Sequence, residues 1–107
     1  MTYFEKLQKE LNFNLTEGEH EEILHQVIDG SMHAKSKLLE YNLILAVEIA
    51  KTYANGSHSN DDLISIATLG LLKAVNSCNT CDTFQSFKEY ASRCIKHEMS
   101  KFFKEVA

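Results

Sequence analysis

Four residues with ligand chemistry fall close together near the end of the chain. Cys78-x-x-Cys81 is followed by Cys94-x-x-His97, and these include all three cysteines. Zinc takes four such ligands in a tetrahedron, and paired thiolate and imidazole spacings commonly supply them. Other features point away from a metal. The cysteines of zinc knuckles usually sit in turns beside glycine, and Cys81 has none nearby. Cys94 borders an apolar helical stripe. The competing reading is three small half-buried thiols, and no bound metal is expected. An odd cysteine count also argues against a closed disulfide framework.

Catalysis has less to build on. His20, His25, His33, His58 and His97 are scattered, mostly among polar neighbours. Glu19, Glu21 and Glu22 read as a solvated helix face. No glycine-rich phosphate loop, G-x-S-x-G or H-E-x-x-H is present. Neither an enzyme nor a cofactor is expected.

A third chemistry lies at the C-terminal end. Phe84, Phe87, Tyr90, Phe102 and Phe103 are interleaved with Arg93, Lys96, His97, Lys101 and Lys104. Cations can meet phosphates, and exposed rings can stack on unpaired bases. The same pattern also fits an ordinary amphipathic helix. Charge bounds the choice. The net charge of −4 conceals nine acids against four bases in residues 1–48, and five bases against three acids in residues 88–107. A generic nucleic-acid binder would be strongly basic. Any DNA contact therefore belongs at the C-terminal end.

The elements that position these residues read as helices. The 107 residues contain no proline and only four glycines, and 44% are hydrophobic. One all-α domain follows, a compact bundle of four or five helices. Tyr3, Phe4, Leu7 and Leu11 predict a short helix over about residues 2–12. Thr16 to Glu19 is a capping box for a helix with Ile23, Leu24, Val27 and Ile28 on its inner face, ended by Gly30. Ser31 caps a segment that from Leu38 to Tyr53 is nearly apolar all round, a central helix. Asn60 or Ser59 caps the stretch DDLISIATLGLLKAV. A last helix runs to about residue 104, capped by a Ser86–Glu89 box or by Thr83. Its inner face is Phe87, Tyr90, Ala91, Cys94 or Ile95, Glu98 or Met99, and Phe102. No apolar run is long enough to span a membrane and no signal-peptide core is visible, so a cytoplasmic, non-membrane protein is expected.

Two stretches carry a family resemblance. Asp62-Leu63-Ile64, Gly70-Leu71, Lys73-Ala74-Val75 and then Tyr90-Ala91-Ser92-Arg93-Cys94-Ile95 resemble region 2 of bacterial sigma factors of the sigma-70 family. The likeness is closest to the sporulation members. Residues 34–50 resemble the family segment A-x-x-x-L-I-x-x-N-L-R-L-V-x-x-I-A, and the Thr16 to Gly30 helix resembles region 1.2. Residues 1–13 would form an added N-terminal helix and residues 14–104 the sigma-like part of a single domain.

The resemblance implies two partners. One face of the D-L-I helix and the helix before it would bind the clamp coiled coil of the beta-prime subunit of core RNA polymerase, which by position gives Asp62, Ser65, Thr68 and Leu72. The last helix and the loop before it open the −10 promoter element and hold the non-template strand, which gives Phe84, Phe87, Tyr90, Arg93, Lys96, His97 and Lys101. The helix-turn-helix that reads the −35 element is not among these 107 residues, so either they are one domain of a longer protein or a separate subunit is expected for that task. Several positions depart from the pattern. A family glycine is Ala67, the arginine of N-L-R-L-V is Ile44, an aromatic is Cys78, a tryptophan pair is Arg93-Cys94, and a threonine is Glu89. The alternative function is a regulator of this fold that binds polymerase or a sigma partner without opening DNA.

Overall fold

The computed structural model describes residues 3–11 and 15–106, with the side chains of the last two left aside. Among them six helices and no strand occur: α1 (Tyr3–Glu10), α2 (Glu17–Ile28), α3 (Met32–Tyr41), α4 (Leu43–Thr52), α5 (Asn60–Ser77) and α6 (Phe84–Val106). The Cα radius of gyration is 13.9 Å, near the roughly 13 Å of a compact domain this long. The all-α expectation holds. The expected number of helices does not, because the segment after Ser31 is two helices.

Asn42 makes that break. Its side-chain amide donates to the Leu38 carbonyl at 2.9 Å, which a continuous helix would have joined to the Asn42 backbone N–H. That N–H goes instead to Leu39, three residues back. A side chain has replaced the backbone as donor, the competition that makes asparagine poor in helix interiors. At φ −107° and ψ 5° the chain turns there and restarts as α4.

The helix starts follow local chemistry. The Thr16 hydroxyl accepts from Glu19 N at 3.1 Å, and a Glu19 carboxylate oxygen accepts from Thr16 N at 3.4 Å. Gly30 closes α2 at φ 95°. Its N–H bonds to Val27 and that of Ser31 to Gln26, the paired closure that a left-handed residue permits. Ser59, not Asn60, caps α5 through Asp62 N at 3.1 Å. Thr83, not the Ser86–Glu89 box, starts α6. Its hydroxyl accepts from Ser86 N at 3.0 Å, and the Ser86 hydroxyl accepts from Thr83 N at 3.2 Å. Glu89 is held elsewhere, by Gln85 Nε2 at 3.0 Å.

α5 and α6 form the central pair, with α4 across α5, α1 on α4, and α2 between α3 and the start of α6. Leu24, Leu38, Leu63, Leu71, Val75, Phe87, Ile95 and Met99 are fully buried. Each large apolar side chain so placed contributes about 1.5–3 kcal/mol. On α6 the inner stripe is Phe87, Ala91, Ile95 and Met99. On α2 it is His20, Leu24 and Val27, while Ile28, expected inside, is exposed.

Candidate functional site

α6 presents two adjoining surfaces. The first is a crevice of about 350 Å³ against α5, lined by Lys73, Tyr90, Arg93, Cys94, His97 and Glu98. Tyr90, Arg93 and His97 meet there because positions three and four apart share a helix face. Its wall is held by an ion pair. Lys73 Nζ lies 2.5 Å from a Glu98 carboxylate oxygen, and the Glu98 side chain is 8% exposed. The Lys73 hydrogen bond holds the Glu98 carboxyl below its ordinary range against the opposing effect of burial, with Lys73, Lys101 and His97 adding attraction. Glu98 therefore sits as an anion beneath a cationic rim.

The second surface is a shallow groove along the outer face of α6, lined by Gln85, Lys88, Glu89, Ser92, Arg93 and Lys96. Arg93 belongs to both surfaces. Three cations on one stripe can follow a phosphate backbone. Lys101 is exposed one turn beyond His97. Phe84 lies at the other end, edge-on to His20 with centroids 4.7 Å apart and Lys88 Nζ 5.6 Å from its own. Phe87 is entirely buried, so its ring supports the core and offers no face to a strand in this conformation.

A deeper cavity of about 170 Å³ lies between α2, the α3–α4 junction and α6, with His20, Tyr41, Asn42, Ile44, Phe84 and Lys88 among its lining residues. His20 is 3% exposed. Its Nε2 is 2.9 Å from Asn42 Nδ2. That amide nitrogen can only donate, so Nε2 accepts and the ring is neutral with its hydrogen on Nδ1. Among the described residues Nδ1 has no hydrogen-bond partner. Burial pushes the His20 pKa down against the Glu21 charge, and an Nε2 that accepts from Asn42 favours the neutral ring as well.

The outer face of α5 is of a different kind. Asp62 and Ser65 are exposed, and Leu72 is 40% exposed. Thr68 is half-buried, its hydroxyl donating to the Ile64 carbonyl at 2.7 Å. Leu69, at 41% exposure, stands beside Leu72. An adjacent exposed leucine pair on a helix that begins with exposed acids suits a protein partner better than DNA.

The thiols are not arranged as a ligand set. Cys78 caps the end of α5 and Cys81 sits in the following loop, both buried, while Cys94 is half-buried in the crevice. Burial pushes the Cys78 and Cys81 thiols up, away from the thiolate that metal binding requires. Among the described residues no three His, Cys, Asp or Glu side chains converge on a metal position.

Sequence reasoning left out Lys73, Glu98, Ser77, Leu69, Lys88 and Ser92 as site residues. Lys88, Ser92 and Lys96 did carry a signal, their spacing of four along one helix. The 25-residue separation of Lys73 and Glu98 gave none.

The stretch holding these surfaces matches the family model described as Sigma-70 region 2, over residues 38–106. The chain belongs to that family, whose members are transcription-initiation factors and not enzymes. It is 36% identical over 85 residues to the RNA polymerase sigma-E factor of Clostridium acetobutylicum, covering 79% of this chain and 36% of that protein. Similarity to the RNA polymerase sigma-K factor of Bacillus subtilis is 35% identity over 79% of this chain and 29% of that one. For the RNA polymerase sigma-28 factor of Bacillus thuringiensis subsp. kurstaki the values are 34%, 79% and 35%. The chain spans about a third of the length of the curated relatives it matches. The resemblance read from the sequence is thus borne out. No described helix is long and apolar enough to cross a membrane.

Proposed function

We propose that this chain is a sigma-like initiation module with two working faces. The outer face of α5, with Asp62, Ser65, Leu69 and Leu72, docks on the beta-prime clamp coiled coil of core RNA polymerase. The α6 crevice and groove, with Tyr90, Arg93, Lys96, His97 and Lys101, contribute to recognising and opening the −10 element by holding its non-template strand. α2 serves as the region 1.2-like support of α6, and residues 14–104 act as one unit in the cytoplasm.

The observation that carries this reading is the convergence of Tyr90, Arg93 and His97 on one crevice inside the matched region. Capturing an unpaired base costs a few kcal/mol of unstacking, which ring stacking and phosphate contacts offset. The test is titration of core polymerase plus this chain with single-stranded −10 non-template DNA. Salt-sensitive binding that Tyr90→Ala weakens about tenfold or more supports the reading. Absence of DNA binding by a complex that does form supports the second reading, a regulator that occupies polymerase without opening DNA. Glu89 favours that alternative, since it places an acid in the basic groove.

A further inference from the structure

Tyr90 is held from α5 by a hydrogen-bond relay with a single direction. Ser77 Oγ lies 2.6 Å from the Lys73 carbonyl oxygen. A carbonyl only accepts, so the single hydroxyl hydrogen of Ser77 is spent there. Ser77 Oγ also lies 2.5 Å from Tyr90 Oη. With its own hydrogen committed, Ser77 accepts, and the Tyr90 phenol donates. The relay runs from the Tyr90 hydroxyl to the Ser77 hydroxyl to the Lys73 carbonyl. Lys73 also bears the side chain that pairs with Glu98 across the same crevice. One short segment of α5 therefore fixes two of the crevice walls.

This has a consequence for what Tyr90 can offer. Its hydroxyl hydrogen is already used inside the protein, so toward a ligand the phenol oxygen can only accept, and the ring face is what Tyr90 offers for stacking. A ring tethered at its far end keeps one plane, whereas an untethered half-exposed tyrosine samples several and must be immobilised when a ligand stacks on it.

We propose that Ser77 is a positioning residue: it fixes the Tyr90 ring as a stacking wall for an unpaired base entering the α5–α6 crevice. This rests on the reading of α6 as a strand-handling element. Ser77 touches no strand itself and acts through Tyr90.

Ser77 is well suited to a clean test. It is exposed, and it is the last residue of α5. The helix end is closed without its side chain, because the Cys78 N–H bonds to the Ala74 carbonyl at 2.9 Å. A serine bonded back to the carbonyl four residues earlier slightly destabilises a helix, so alanine leaves the melting temperature unchanged or raises it. A purely structural role would move stability and leave DNA preference alone. The positioning role does the reverse.

The experiment is a double-mutant cycle on the full chain bound to core polymerase, read by anisotropy of a labelled single-stranded −10 non-template oligonucleotide, with thermal melts beside it. Ser77→Ala and Tyr90→Phe should each weaken binding about three- to tenfold, the scale of immobilising one freed side chain. The double variant should lose no more than either single one, since both cut the same link. Ser77→Thr should restore binding. Wild-type affinity in Ser77→Ala, or losses that add in the double variant, would overturn the proposal while a large Tyr90→Ala loss kept the strand-handling reading intact. Wild-type affinity in Tyr90→Ala would reject both.

Discussion

Gly70 on α5 lies against the backbone of Ile95 on α6, so closely that a Cβ on the glycine would stand 2.6 Å from Ile95 Cα and 2.9 Å from the Cys94 carbonyl oxygen. Those neighbours are backbone and cannot swing away. The close crossing sets the spacing of the crevice that holds Tyr90, Arg93 and His97. Ala67 and Ala74, buried on either side at helical spacing, keep the same seam narrow.

Gly70→Ala should therefore destabilise the fold. In an exposed helix that change would gain about 1 kcal/mol of helix propensity. Here the overlap costs more, and a net loss of about 2 kcal/mol is expected. A melting temperature lower by roughly 10 °C would report it. A melt at or above the wild-type value would mean that the helices separate freely.

His20 predicts a pH dependence. Nε2 accepts from Asn42, and that amide cannot turn round because its nitrogen also serves the Leu38 carbonyl. Protonated His20 would set donor against donor in a buried place. Its folded pKa lies below the unfolded one, so the neutral ring stabilises fully above about pH 6.5 and that contribution is lost as pH falls through the folded value. The urea midpoint should drop between pH 7 and pH 5 in the wild type and drop less in His20→Gln, which keeps an acceptor. Parallel declines would remove His20 as the cause.

Glu89 should restrain DNA binding. It lies in the groove with Lys88, Arg93 and Lys96, and its carboxylate is held by neutral Gln85; among the described residues no ion pair engages it. Glu89→Gln removes one repulsion from a phosphate backbone and touches no core contact. Affinity for single-stranded DNA should rise about threefold at low salt, and the gain should shrink at high salt. Unchanged or weaker binding would place the strand elsewhere.

Local chemistry was what the sequence displayed well. The Thr16–Glu19 box and Gly30 each depend on residues within a turn or two, and each stands in the structure. The inner face of α6 was legible in outline, with Ile95 and Met99 both buried where Cys94 or Ile95 and Glu98 or Met99 had been open, and with Tyr90 and Phe102 only half-buried. The sigma-family match was legible for the same reason, in short ordered motifs. What was missed depends on partners far along the chain. Asn42 breaks a helix partly because His20, 22 residues away, receives its second hydrogen. His20 stands among polar neighbours in the sequence, and the rings that bury it, Phe84 and Phe87, come from more than 60 residues away. Glu89 looked like half of a capping box, but Gln85 claims it and Ser86 serves Thr83 directly. Leu69 is one leucine among several in α5, and only the packing shows that it and Leu72 face outward while Leu63 and Leu71 face inward.

The proposed function stands first on docking of the outer face of α5 to core RNA polymerase. Its most direct test is the equilibrium affinity of the intact chain for core polymerase, compared with the Leu69→Ala/Leu72→Ala double variant. Both leucines are outside the core, so the variant should fold normally. Two apolar side chains at the centre of an interface, each worth about 1 kcal/mol or more, predict saturable binding by the wild type and at least a tenfold loss in the variant. An intact chain that does not bind core polymerase, or a double variant that binds as well as wild type, would contradict the account.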